Sequence, residues 1–211
     1  MEAGRKPIII IEHCEDGLSP WIILEYRHAS IIYGRENLLF TNIPRKYHKI
    51  LAKYGRVEEE SIIDLVNNGV IPASQVIILD PKAREELKYT HLLEAKYVVV
   101  GGILGDYPPR GRTWEFITSK MPPTVKAFHI GEGQYSIDGT VYYVHYLWSN
   151  KDLEGYQYID GLKIETDYGE VYLPYRYPVV NGKPLLADGL EYYLKYRKIR
   201  DDIWSELASL Q

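Results

Sequence analysis

Tyr97-Val98-Val99-Val100-Gly101-Gly102-Ile103-Leu104-Gly105-Asp106-Tyr107-Pro108-Pro109-Arg110-Gly111-Arg112-Thr113 passes from an apolar run into a turn rich in glycine, proline and charge. The β-branched run to Val100 predicts a buried strand, and Gly101, Gly102 and Gly105 fall at its carboxyl end, where open α/β sheets place ligand crevices. Glycine there lets main chain approach a ligand closely. Two prolines stiffen the exit, and Asp106, Arg110 and Arg112 gather opposite charges in one turn. A tight strand-to-helix connection and a ligand loop both suit these glycines. The pattern is neither a Walker loop, because no Gly-Lys-Ser/Thr ending follows, nor a dinucleotide fingerprint, whose spacing differs.

The same order of apolar run, polar turn and helix extends outward in both directions. Ile8 to Ile11 predicts a central strand ending at Glu12-His13, Leu38 to Thr41 a second, Val76 to Leu79 a third and Val125 to Ile130 a fifth. Ser19 and Pro20 open a helix to Tyr33, stopped by Gly34. Helices are expected over Pro44 to Tyr54, Glu58 to Asn68 and Pro81 to about Leu93 with Asp80 as cap. A short one should follow Thr113, and a longer one after Ser136 should bury Ile137, Val141, Val144 and Trp148. The expected class is α/β, a mostly parallel sheet with helices on both faces. Leu79 to Pro81, Gly101 to Asp106 and Ile130 to Ser136 follow strands and should converge on one crevice.

Gly155 to Val180 changes character, rich in tyrosine and alternating, with an Asn181-Gly182 hairpin turn. A helix from about Gly189 to Leu207, carrying Lys195, Arg197, Lys198 and Arg200, should close the chain. Residues 1–150 read as the core, and 151–211 as a segment packed on it within one domain.

The chain has 211 residues, 45% hydrophobic and 26% charged, as in an ordinary folded protein. Its single cysteine, Cys14, excludes an internal disulfide and a multi-cysteine zinc site, so no metal centre is expected and an intracellular setting is favoured. The longest apolar run falls short of the roughly 20 residues that cross a bilayer, and Met1 to Pro7 is too short and polar for a signal peptide. A soluble, cytoplasmic protein is expected. The net charge of −4 argues against affinity that comes mainly from phosphate neutralisation. The Arg45, Lys46, Lys49 and Lys53 stripe is where RNA would lie if it binds.

Glu25 is the odd residue of its helix, sharing a face with Trp21, Leu24, His28 and Ile32. A carboxylate enclosed there needs a cation, donors or a proton. A structural ion pair with Arg110 or Arg112 is one reading, and a seat for a cationic substrate the other.

The glycine run and its Pro-Pro-Arg, together with Glu12 to Tyr26, Leu79-Asp80-Pro81 and Pro174-Tyr175-Arg176-Tyr177, resemble a SPOUT-class family of S-adenosylmethionine-dependent methyltransferases shared by archaea and eukaryotes. That family is commonly labelled as acting on RNA, while its eukaryotic branch methylates an arginine of a small-subunit ribosomal protein. The resemblance implies a trefoil knot whose loops hold a bent cofactor through main-chain groups. Leu79, Asp80, Pro81, Gly101, Gly102, Leu104, Gly105, Ile130, Gly131, Gln134, Tyr135 and Ser136 would form that cradle.

An arginine acceptor brings a guanidinium to a sulfonium, so carboxylates should pair with it and take its proton. Glu12, Glu25 and Asp106 are the expected catalytic residues. His13, Glu15, Trp21 and Arg110 are the expected substrate contacts, with Trp21 able to pack on the guanidinium. Two alternatives are an RNA methyltransferase, which needs basic and aromatic surroundings, and a ribosome-associated module that holds the cofactor without transferring its methyl group. The expected partner is a ribosomal protein or subunit, with RNA possible, and the protein a monomer or homodimer.

Overall fold

The computed structural model describes residues 5–208, so the readings of residues 1–4 and 209–211 lie outside it. Six strands form one sheet: β1 (Ile8–His13), β2 (Leu38–Thr41), β3 (Arg56–Val57), β4 (Val76–Leu79), β5 (Tyr97–Gly102) and β6 (Lys126–Phe128). Their order is β3-β2-β1-β5-β4-β6, and every pairing is parallel. The central pair, β1 and β5, runs in register from Ile8 opposite Tyr97 to His13 opposite Gly102. Both faces are covered, which is why these strands read as continuous apolar runs.

Alternation sorts the side chains. Ile9 and Ile11 join Tyr26, Val98, Val100, Val141 and Val144 in the larger core, while Ile8 and Ile10 join Ile62, Leu65, Val99 and Ile117 on the other face. Helix α1 (Pro20–Tyr33) covers the first face. Its start is set by Ser19, whose Oγ accepts from the Ile22 amide at 3.3 Å. Four short helices follow, α2 (His48–Leu51), α3 (Ile62–Asn67), α4 (Tyr89–Glu94) and α5 (Arg112–Phe116), before α6 (Ile137–Asn150). Ser136 caps α6 by accepting from the Gly139 amide at 3.2 Å.

Tyr158–Thr166 (β7) and Gly169–Val180 (β8) form a hairpin, and Lys183–Pro184 (β9) returns through the Asn181-Gly182 turn. Both turn residues have positive φ, 52° and 74°, as a primed turn demands. Ile164, Leu173 and Tyr177 of the hairpin share the larger core with Ile9, as do Leu190 and Ile203 of the closing helices α7 (Leu190–Tyr196) and α8 (Asp201–Ala208).

Several boundaries depart from the sequence reading. Pro44 to Tyr54 is a 3-10 turn over Arg45–Tyr47 followed by one turn of α2, because the chain must double back into β3. The helix expected from Glu58 begins only after Ser61, whose Oγ accepts from the Ile63 amide. Pro81 to Leu87 is not helical: Asp80 caps a turn by accepting from the Lys82 amide at 2.8 Å. The chain then bonds to the segment after β6, with Leu87 N donating to His129 O at 2.8 Å, so α4 starts at Tyr89. The final helix is two, broken where Arg197 turns left-handed at φ 54°.

Candidate active site

The carboxyl ends of β4, β5 and β6 bring the three predicted loops around one crevice. Leu79, Asp80 and Pro81 line it from the first loop, Gly101, Gly105 and Asp106 from the second, and Ile130, Gly131, Gln134 and Tyr135 from the third. Arg110 lines it as well and is exposed. Three further cradle residues of the sequence reading are not among its lining residues. Gly102 lies against the Tyr26 hydroxyl, leaving no room for a side chain; Leu104 packs on the core; Ser136 caps α6.

Ile103 and Gly133 of the same loops also line the crevice, as do Val100, Thr113, Ile137 and Thr140, which lie outside the loops the sequence points to. Thr140 had a readable signal, since it stands one helical turn beyond the predicted cap Ser136. Leu79, Val100, Ile130 and Ile137 supply apolar wall, and the loops supply exposed main-chain groups.

The loops are held from behind. Glu15 accepts from the Leu104 amide at 2.9 Å and pairs with Arg112 at 2.9 Å, and Arg112 also donates to the Leu104 carbonyl. The hairpin clamps the other side. Tyr175 donates to the Gly105 carbonyl at 2.9 Å, and the Arg176 amide donates to the Gln134 carbonyl at 2.7 Å. Arg176 grips Asp160 through two bonds of 2.7 and 2.8 Å and lies over the Tyr158 ring. This contact holds the guanidinium above its usual range.

Asp106 faces the crevice. Its Oδ2 is buried, makes no hydrogen bond and stands 3.9 Å from Arg112 Nε. Burial raises the Tyr175 hydroxyl above its ordinary range, and the negative charges of Glu25, Asp106 and Glu15 add to the shift.

Glu25 is 2% exposed and has no arginine partner. Its carboxylate accepts from Trp21 Nε1 at 2.6 Å and from the Ile137 amide at 3.0 Å, so it closes the amino end of α6. Burial first, and then Asp138, push its pKa up, against these two bonds. The nearby His28 pairs with Asp138 at 2.7 Å.

Glu12 turns to the opposite face of the sheet, because β1 alternates and His13 takes the crevice side. It accepts from Thr41 Oγ1 and Ser61 Oγ at 2.5 Å each and from the Ile62 amide at 3.0 Å, at the start of α3. His13 hydrogen-bonds the Tyr26 hydroxyl through Nδ1 at 3.0 Å, and burial lowers its pKa. Burial also pushes the Cys14 thiol up to about 12, so it is no nucleophile. The structure thus links Glu15 and Asp106 through Arg112 and Trp21 with Glu25 at the start of α6, keeps His13 on the crevice side of the sheet, and leaves Glu12 on the other face.

The predicted basic stripe is dispersed: Arg45 pairs with Glu59, and Lys53 donates to the Glu206 carbonyl. Among the described residues, no helix is long and apolar enough to cross a membrane.

A family profile described as protein arginine N-methyltransferase SFM1-like matches residues 8–200. Protein arginine N-methyltransferase SFM1 of Saccharomyces cerevisiae is 30% identical over 199 residues, spanning 86% of this chain and 91% of that protein. The yeast arginine methyltransferase SFM1 complexed with SAM aligns with a TM-score of 0.80 at 27% identity, over 94% of each chain. The same enzyme complexed with SAH gives 0.78 at 28%, over 89% of this chain and 94% of that one. Full-length spTrm10 in its SAH complex shares the fold alone, with a TM-score of 0.51 at 13% identity over 73% of this chain and 95% of that one. A parallel sheet with its crevice at three strand ends, aligned with these proteins, is a SPOUT-class methyltransferase architecture, and the chain belongs to the SFM1-like protein arginine N-methyltransferase family.

Proposed function

We propose that this protein transfers a methyl group from S-adenosylmethionine to an arginine side chain of a protein. The observation that carries this reading is the buried, unbonded Oδ2 of Asp106 on the rim of a glycine-lined crevice. An unsatisfied carboxylate oxygen is costly unless a donor arrives. A guanidinium supplies two donors in the plane a carboxylate prefers.

The crevice suits the cofactor. Apolar walls from Leu79, Val100, Ile130 and Ile137 fit an adenine, Thr140 and the main-chain groups of the loops fit the ribose, and Arg110 fits the amino-acid carboxyl group. When bound, S-adenosylmethionine supplies an electrophilic methyl carbon on a sulfonium. The chain's own residues orient the acceptor and hold its proton. Asp106 grips the guanidinium and aims one nitrogen, and it receives the proton that nitrogen sheds as it gains a carbon. Glu15 positions the loop through Leu104, Glu25 positions Trp21 and the start of α6, and the indole forms a wall for the entering cation.

Asp106 on the crevice wall, with Glu15 behind it, favours a cationic side chain over a phosphate-bearing nucleotide. The acceptor we propose is a ribosomal protein and the setting the cytoplasm, as the family resemblance implies, and the cradle loops would carry the trefoil knot. Labelled S-adenosylmethionine and ribosomal subunits test this, with protein and RNA separated afterwards. Label is expected in protein, and Asp106→Asn should lower turnover by about 100-fold or more while cofactor affinity changes only a few-fold. Label confined to RNA, or unchanged turnover in that variant, defeats the reading.

A further inference from the structure

All six strands run the same way, so one edge of the sheet collects every amino end. Arg56 opens β3, Arg35 stands just before β2, Arg5 just before β1, Lys96 immediately before β5, and Lys126 opens β6. Only β4, entered through Gln75, lacks a cation. In sheet order these residues form a row spanning about 24 Å at a strand spacing of about 4.8 Å.

All five cations are exposed, and none makes an ion pair among the described residues, whereas Arg27, Arg45, Arg112, Arg176 and Arg200 each do. Arg5, Arg35 and Arg56 surround one hollow with Asn37 and Gly55. Glu36 lines it too, with Oε1 accepting from Asn37 at 2.9 Å, and Glu94 ends α4 nearby. The acidic groups Glu15, Asp80 and Asp106 lie at the opposite, carboxyl edge. That edge also carries Arg110 and Arg112 beside its carboxylates, whereas the five cations of the amino edge stand without ion-pair partners among the described residues.

We propose that this amino edge docks the sugar-phosphate backbone of an RNA strand. Exposed guanidinium and ammonium groups in a row match successive phosphates, and they position a strand without reading its bases. A free phosphate ion would need enclosed donors, and these side chains stand open. A membrane surface would need one apolar face, and the exposed apolar side chains on the elements that lead into this edge, Ile31, Val70 and Leu93, come one each from α1, the loop before β4 and α4. The site is remote from the crevice and does not depend on the methyl-transfer reading. It would let the protein hold RNA at one edge while its acidic mouth receives a cationic side chain at the other.

Fluorescence anisotropy with a labelled single-stranded 20-mer RNA, without cofactor or acceptor, tests the docking. The full chain is compared with R35Q/R56Q/K96Q over a series of salt concentrations. We expect affinity to fall tenfold or more in the variant, and the slope of log K against log salt to shrink by about 2, near 0.7 for each lost phosphate contact. The melting temperature and cofactor affinity should stay unchanged. A double variant, R5Q/R35Q, should give an intermediate loss. DNA of equal length that binds equally well and loses affinity in the same variants supports the same phosphate contacts. The proposal is overturned if the wild type does not bind RNA at low salt, if the variants bind it equally well, or if only anionic phosphatidylserine vesicles are bound.

Discussion

The Tyr175 hydroxyl donates a 2.9 Å hydrogen bond to the Gly105 carbonyl, tying the hairpin to a glycine loop 70 residues earlier in the chain. Burial, followed by Glu25, Asp106 and Glu15, keeps the phenol above its ordinary pKa, so it remains a donor at neutral pH. Tyr175→Phe removes that bond and keeps the ring. Losing one hydrogen bond of about 0.5–1.5 kcal/mol should lower the melting temperature by roughly 2–4 °C per kcal/mol, and the loosened loop should cost roughly two- to tenfold in cofactor affinity. Calorimetric titration with S-adenosylmethionine measures it, and unchanged affinity would show that the clamp does not shape the crevice.

Glu25 makes stability depend on pH. Its pKa rises from 4.5 to about 8 in the folded chain, through burial and then Asp138, so the folded form holds the proton more tightly than the unfolded chain. Its contribution is complete below 4.5 and is lost as pH rises through about 8. Urea unfolding across that window should show stability falling in the wild type. Glu25→Gln should flatten the fall. The amide also loses one acceptor for Trp21 or Ile137, a cost of about 1–3 kcal/mol. Parallel pH curves for the two proteins would remove Glu25 as the origin of the slope.

What could be read from sequence was local. Ile8 to Ile11, Val76 to Leu79 and Tyr97 to Val100 announce buried parallel strands because both faces are covered, and Ser19 and Ser136 announce helices because caps act within one turn. The convergence of the three loops follows from those strands being parallel. Glu12 was misplaced because an all-apolar run carries no polar residue to show which face leads to the crevice. For Glu25 the sequence allows an ion pair with Arg110 or Arg112 or a seat for a cationic substrate, and its partners within the chain are the Trp21 indole and the Ile137 amide, the latter 112 positions away. Arg197 breaks the last helix through a left-handed turn at a residue that gives no such sign. The cations of the amino edge are scattered through the chain, and only the strand order aligns them.

Gly133 has φ +103°, and a Cβ there would stand 3.1 Å from the Arg176 guanidinium carbon. Arg176 cannot swing aside without leaving Asp160, which holds it by two bonds. Gly133→Ala therefore combines an unfavourable backbone with a crowded neighbour. The expected loss of stability is about 1–2 kcal/mol, from the positive φ alone. Cofactor affinity should fall with it, because Gly133 lines the crevice. Thermal melts with and without cofactor read both effects, and a variant that melts and binds like the wild type would show the third loop to be adaptable.

Glu12 separates folding from chemistry. Its carboxylate gathers Thr41, Ser61 and the Ile62 amide, so Glu12→Ala leaves a buried amide and two hydroxyls without their acceptor. Hydroxyls can turn elsewhere, but the amide at the start of α3 cannot. A destabilisation of about 3 kcal/mol is expected, together with a lower denaturation midpoint. Below that midpoint the folded variant should turn over at close to the wild-type rate, because Glu12 faces away from the crevice. Asp106→Asn should show the reverse, with near-normal stability and lost turnover. If Glu12→Ala abolishes methyl transfer while the protein remains folded, the acidic group that meets the acceptor is not confined to the crevice rim, and the assignment of that role to Asp106 fails.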